Sequence, residues 1–291
     1  MNIIKHRKIY FAISGILFVA SLLALLVWGL RLGIDFTGGS LLEAELSQNV
    51  NILEIKEKLI GLDVGDVSAQ PVGEKGAILR MKDINEETHQ KILTALDGAQ
   101  EKRFESIGPV VGEELKRRAI YAVSLTLLMI VVYIAWAFRK VSRPVPSWQY
   151  GLATLIALFH DVFLPAGIFA LLGHYKGAEI GLLFITAILT VLGFSVHDTI
   201  VVFDRIRENL RRGMGNSFEQ TVDLSVNQTL TRSINTSLTV LLTLLAVYFL
   251  GGETIKYFVL TLIIGIVFGT YSSIFIASPL LVFFNKLKKR R

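Results

Sequence analysis

The sequence predicts an α-helical polytopic membrane protein: six transmembrane helices, with a small α+β domain of ferredoxin-like order between the first and the second. Three observations carry this. Of 291 residues, 52% are hydrophobic and only 19% charged, with a mean hydropathy of +0.55, too apolar for an ordinary soluble domain. Six mostly apolar stretches approach or exceed the roughly 20 residues that about 30 Å of hydrocarbon demands. Between the first two of them, the period of the pattern switches from helical to alternating.

The first stretch, Ile9 to Leu30, exceeds the core of a cleaved signal peptide, about 7 to 15 residues, and is expected to stay as an anchor. Behind it Leu42, Ala44 and Leu46 alternate with Glu43 and Glu45 as a half-buried strand. Asn51 with Glu54 three residues on resembles a capping box, opening a helix with Ile52, Ile55 and Leu59 inward. Asp66 to Val72 and Ala77 to Lys82 read as strands around the turn Gly73 to Gly76, Glu86 to Leu96 as a helix, and Lys102 to Ile107 as a last strand. The order β-α-β-β-α-β is that of a split ferredoxin-like unit. The later apolar stretches are Ala119 to Phe138, Trp148 to Leu172, Ile180 to Phe203, Asn235 to Leu250 and Tyr257 to Phe284; the fifth is short, and its helix is expected to begin earlier. The expected organisation is residues 1–32 for the N-terminus and first helix, 33–117 for the external domain, 118–285 for helices two to six with a cytoplasmic loop at 204–228, and a basic tail at 286–291.

Charge sets the orientation. Residues 31–118 carry a net charge of −4 and the remainder +10. The positive groups flank the apolar stretches: Lys5, Arg7 and Lys8; Arg139, Lys140 and Arg143; Arg205, Arg207, Arg211 and Arg212; and Lys286 to Arg291. The positive-inside rule then places both termini in the cytoplasm and the domain outside. Anionic lipid headgroups adjoin every cluster, so membrane lipids and not nucleic acid are the expected partner of these charges. The absence of cysteine excludes disulfides and thiolate metal sites.

Two glycine-rich joints flank the domain, "GIDFTGGS" (Gly33 to Ser40) and "IGPVVG" (Ile107 to Gly112). Neither has the Lys-[ST] ending of a phosphate loop, so Gly38, Gly39, Gly108, Pro109 and Gly112 are read as hinge or tight-turn positions.

An aspartate at mid-helix costs about 2.5 to 3.5 kcal/mol on insertion scales, so Asp198 needs protein or water around it and a partner. Arg232 lies at matching depth, each residue about five positions inside the cytoplasmic boundary. Arg232, Thr236, Thr239 and Thr243 recur at helical spacing as one polar stripe, Ser195 shares a face with Asp198, and Gly265, Gly269 and Ser273 give small-xxx-small spacing for close helix packing. Two readings of Asp198 and Arg232 stand open: a static buried ion pair, or an acid that takes up a proton while the cation is distant and releases it on approach. His160, Asp161 and His197 are candidates for the relay or its support, with Ser195 and Thr236. A metal site is not expected, because adjacent residues on a helix point about 100° apart and each His-Asp pair offers one ligand inward. No nucleophile motif or cofactor fingerprint points to an enzyme, and protons are the only coupling species expected.

The strings "GIDFTGG", "IGPVVG", "HD" in the third helix, "GFSVHDTIVVFDRIREN", "QTLTRSINTS" and "GGETIKYFVLTLIIGIVFGTYSSIFIASPL" together resemble the SecF branch of the SecD/SecF family, of the RND superfamily, along essentially the whole chain. The resemblance implies an RND-type half-transporter of the bacterial cytoplasmic membrane. Such a subunit works with SecD beside the SecYEG channel, drawing unfolded preprotein outward as protons flow inward. It places the family's relay acid on Asp198 and its arginine on Arg232. His197 departs from the pattern, since relatives commonly carry Asn before the relay aspartate. The rival expectations are a proton-coupled exporter of small solutes, for which the external domain is small, and a purely structural subunit that stabilises its partner.

Overall fold

The computed structural model describes residues 2–46, 50–96, 98–139 and 145–289. The chain divides into two compact units: Met1–Leu30, Ala122–Ala178 and Leu183–Arg291 form one, Arg31–Tyr121 and Glu179–Leu182 the other.

The first unit is helical. Six helices have the length and apolarity to cross a membrane: M1 Ile4–Trp28, M2 Pro109–Ala137, M3 Ser147–Lys176, M4 Leu182–Arg211, M5 Phe218–Leu250 and M6 Glu253–Leu287. M2 begins ten residues before the apolar stretch because Pro109 opens it, proline being preorganised for a first helical turn. M5 also begins early, where the Ser217 hydroxyl accepts from Gln220 N (3.3 Å). The loop expected at 204–228 is therefore mostly helix. M4 runs on to Arg211 through pairs at helical spacing, Arg207 with Asp204 and Arg205 with Glu208 (2.6 Å). Of the basic clusters, Lys140 and Arg143 lie outside the described residues, as do Arg290 and Arg291 of the tail.

Small residues set the helix spacing. M1 buries Ser14, Ser21 and Ala24, and Gly167 of M3 sits so close to Ser21 that a Cβ there has no room. Gly269 of M6 lies against Ser195 of M4, where an added Cβ would stand 3.1 Å from the serine Cβ; Gly265 meets Val191 in the same way, as the small-xxx-small spacing predicts. Near one end of M2, M3 and M4, Phe138, Tyr150 and Phe203 interlock, with ring centroids 5.1 to 5.9 Å apart. M6 widens into a π-helical step at Ser273–Ala277. Pro279, two residues on, has no N–H to give back to the helix, and the Ser278 hydroxyl donates to the Ser273 carbonyl (3.0 Å).

The second unit is the split β-α-β-β-α-β arrangement. Strands β1 Gly39–Glu45, β2 Ser68–Val72, β3 Gly76–Met81 and β4 Gln100–Ile107 form an antiparallel sheet in the order β2-β3-β1-β4. β2 starts two residues later than expected. It is an edge strand, which is where its Pro71 is tolerated. Helices Ile52–Leu59 and Glu86–Ala95 cover the sheet, and Leu42, Leu79, Ile55, Leu59 and Ile92 form the centre of its core. Asn51 caps the first helix by accepting from Leu53 N (3.1 Å), while Glu54 pairs with Lys58 (3.0 Å) instead of returning to the cap.

The joints are packed rather than loose. Gly38 (φ +73°) and Gly39 (φ +123°) hold left-handed or mirror-extended backbone that side chains disfavour; a Cβ on Gly38 would lie 2.7 Å from Pro109 Cα, and one on Gly112 2.8 Å from Gly38 N. Gly108 has no positive φ, and Pro109 to Gly112 are the first turn of M2. Two features are absent from the sequence reading. Residues 179–182 join this unit through a parallel bridge from Leu32 to Ile180, and the Asp35 carboxylate accepts from Leu182 N (2.6 Å), capping the start of M4.

Candidate functional site

Two aspartates are buried among M3, M4, M5 and M6. Asp198 of M4 is 7% exposed and Asp161 of M3 is wholly enclosed. Their donors are hydroxyls. Asp198 Oδ1 accepts from Ser233 Oγ of M5 (2.5 Å) and Oδ2 from Ser273 Oγ of M6. Asp161 Oδ2 accepts from Ser195 Oγ of M4 (2.5 Å) and Ser272 Oγ of M6 (2.6 Å), and His160 Nδ1 lies 3.0 Å from Oδ1. All four serines are buried.

The geometry follows from helix periodicity. Ser195 and Asp198 lie three residues apart on one face of M4. Ser272 and Ser273 are consecutive at the start of the π-helical step, so M6 presents one hydroxyl to each carboxyl. Gly269, one turn earlier, lets M6 approach Ser195 closely enough for both bonds.

Arg232 is not the partner of Asp198 within this chain. The expected depth is right, because its neighbour Ser233 reaches the carboxyl, but the expected face is wrong. Arg232, Thr236, Thr239 and Thr243 are exposed. Thr239 and Thr243 turn their hydroxyls onto M5's own carbonyls, at Thr236 (2.8 Å) and Thr239 (3.1 Å). The inward stripe is Thr229, Ser233 and Ser237, with Ser237 Oγ 2.5 Å from Thr270 Oγ1 of M6. M5 carries two polar stripes about 100° apart, and the sequence reading chose the one that faces outward. His197 is likewise exposed and shares none of these bonds. Among the described residues, neither carboxyl has an ion pair with Lys or Arg.

Ser233, Ser272 and Ser273 were missed. The serine couplet before Pro279 and the i, i+4, i+8 run at 229, 233 and 237 were the available signals. His160 also borders a cavity of about 390 Å³ between M1, M3 and M6, lined by Phe11, Phe18, Phe159 and Ile276.

The family described as "Protein export membrane protein SecD/SecF, C-terminal" matches residues 88–287, and the "SecD/SecF GG Motif" matches residues 24–50. The chain belongs to the SecD/SecF family. The protein translocase subunit SecF of Thermobaculum terrenum is 47% identical, covering 97% of this chain and 93% of the relative. That of Anaerolinea thermophila is 40% identical with the same coverage. Among solved structures, SecDF from Thermus thermophilus, titled a translocon-associated membrane protein, superposes with a TM-score of 0.86 at 32% identity over the whole chain. SecDF in its "Super-membrane-facing form" gives 0.71 at 33%. This chain spans 39% of either SecDF chain, so a SecD counterpart is the partner to which the similarity points. The protein is a multi-pass membrane protein and an accessory subunit of the Sec translocase; the relatives it matches are named translocase subunits and not enzymes.

Proposed function

We propose that this chain, with SecD, couples inward proton flow to export of unfolded preprotein through SecYEG in the bacterial cytoplasmic membrane, with both termini cytoplasmic and protons as its only coupling species. The observation that carries this reading is Asp198: a buried carboxyl supplied with hydroxyl donors and no cation of its own chain. The next residue after Arg232 already touches it. An arginine at this depth is not left facing hydrocarbon, so the exposed stripe of Arg232, Thr236, Thr239 and Thr243 is the face that SecD covers. While Arg232 is turned away, Asp198 holds a proton; when M5 or its partner brings the guanidinium close, the carboxylate is favoured and the proton leaves. One charge crossing the full potential is worth about 2.3 kcal/mol per 100 mV, enough to bias a two-state movement of the external domain.

The test is export into inverted vesicles with and without a proton gradient. Asp198→Asn should assemble with SecD and lose the gradient-dependent part of export, by roughly tenfold or more, a barrier change of about 1.4 kcal/mol. Gradient-stimulated export at the native level would instead leave a scaffolding subunit.

A further inference from the structure

Proton coupling as read above uses Asp198 and leaves the deeper carboxyl unemployed. We propose that Asp161, held with His160, is a second proton-accepting group of the same cycle, joined to Asp198 through Ser195 and the Ser272–Ser273 couplet so that the two carboxyls titrate as one pair. The inference rests on Asp198 exchanging protons.

Four observations carry it. First, Asp161 is fully enclosed by the chain's own helices, so its surroundings do not wait for SecD. Second, the groups facing it include no fixed positive charge. M3 contributes His160, M4 contributes Ser195 with Asp198 one turn on, and M6 contributes Tyr271, Ser272 and Ser273. M1 contributes Ser14, whose hydroxyl lies 3.3 Å from that of Tyr271, and M5 turns Ser233 inward and Arg232 outward. A buried carboxylate without a cation is expensive, and protonation is the way to relieve it. Third, Oδ2 is occupied by two hydroxyl donors while Oδ1 faces only His160 Nδ1. Oδ1 is therefore where a proton resides, and transfer between it and Nδ1 exchanges an imidazolium-carboxylate pair for a neutral pair without changing net charge. Fourth, His160 Nε2 is buried and has no hydrogen-bond partner among the described residues. An orphaned donor or acceptor beside a buried acid needs an explanation, and proton entry to the imidazole from water supplies one: a proton arrives at Nε2 and another leaves Nδ1 for Oδ1.

The coupling is geometric. Both carboxyls take one hydroxyl from consecutive residues of M6, at the mouth of its π-helical step. When one acid becomes neutral its serine is freed to reorient, and M6 conveys the change to the other. Interacting groups of this kind show macroscopic titration steps that belong to the pair.

The experiment is infrared difference spectroscopy of the protonated-carboxyl stretch across pH, on the full chain in complex with SecD, alongside the vesicle assay. Native complex should show two components. Asp161→Asn should remove one and shift the pH profile of gradient-driven export toward acid by about 0.5 pH unit or more, because a neighbouring negative charge has gone. Ser272→Ala, which keeps both acids, should move the Asp161 component and leave assembly intact; it also serves if the Asp161 variant fails to accumulate. The inference is overturned if both variants leave components and profile as in the native complex. If Asp198→Asn retains gradient-driven export, the proton-coupling reading fails; if it loses that export while the Asp161 and Ser272 variants titrate like native, only the paired-carboxyl inference fails.

Discussion

At the scale of single residues, Ser233 and Arg232 separate stability from coupling. Ser233 donates to a buried carboxyl, a bond of the class worth about 1.5 to 3 kcal/mol when one partner is charged. Ser233→Ala should therefore lower the unfolding free energy of the purified chain by roughly 1 kcal/mol or more, read as a fall in denaturation midpoint in detergent. Arg232 is exposed in this chain, so Arg232→Gln should change that midpoint by less than about 0.5 kcal/mol and still remove the gradient dependence of export in vesicles. If the stability effects came out reversed, the face assigned to M5 would be wrong. Gly38 shows the other kind of residue-scale constraint. Its φ of +73° and the 2.7 Å approach of an added Cβ to Pro109 Cα give Gly38→Ala two penalties at once, more than about 1 kcal/mol together.

At the scale of elements, the site is made by the distance between M4 and M6 and by the break in M6. Gly269→Val should overpack the contact with Ser195 at a cost of about 1 to 3 kcal/mol and pull Ser272 and Ser273 away from their carboxyls. Melting of the SecD complex measures the first, and the infrared carboxyl signal the second. The π-helical step has a local cause in Pro279, and such steps often sit at functional sites; here it places two successive hydroxyls against two acids. M4 has its own fastening, since Asp35 caps Leu182 from far away in sequence. Asp35→Ala should cost about 0.5 to 2 kcal/mol and raise amide exchange in the first turn of M4 before it affects the rest of that helix.

At the scale of the whole molecule, the six spans are unequally buried. Half or more of the apolar window is buried in M3, M4 and M6, against 11% in M2 and M5. M5 exposes a charged stripe with that apolar surface, which marks it for a protein partner and not for lipid alone. The chain has no cysteine, so single substitutions report cleanly: Thr239→Cys should react with a thiol reagent in the lone chain and be protected when SecD is bound. The external unit has a pH response of its own. Burial pushes the Glu179 carboxyl above its ordinary range, while Arg80, paired with it at 2.7 Å, and Arg31 pull the other way without prevailing. A carboxyl raised in the folded state favours the fold most below its unfolded value of 4.5, and that contribution is lost as pH rises through the raised value. The stability of native chain relative to Glu179→Gln should therefore climb as pH is lowered through that window and then level off, as thermal melts at a series of pH values can follow.

The sequence by itself determined the spans, the order of the external fold and the presence of acid at membrane depth. Those are properties of composition and period: twenty apolar residues span a bilayer whatever surrounds them, alternation makes a strand, and a charge in an apolar helix declares itself. It also placed Asp198 and M5's polar residues at one level, because rise per residue is constant. What it could not determine was rotation. M5 has polar residues on two faces, and only the packing of Gly265 and Gly269 against M4, with the π-helical turn that follows, selects Ser233 over Arg232 as the inward group. The Asp35 cap and the strand bridge at Ile180 were hidden for a related reason: each joins residues about 150 positions apart, and such contacts exist only once the chain has folded.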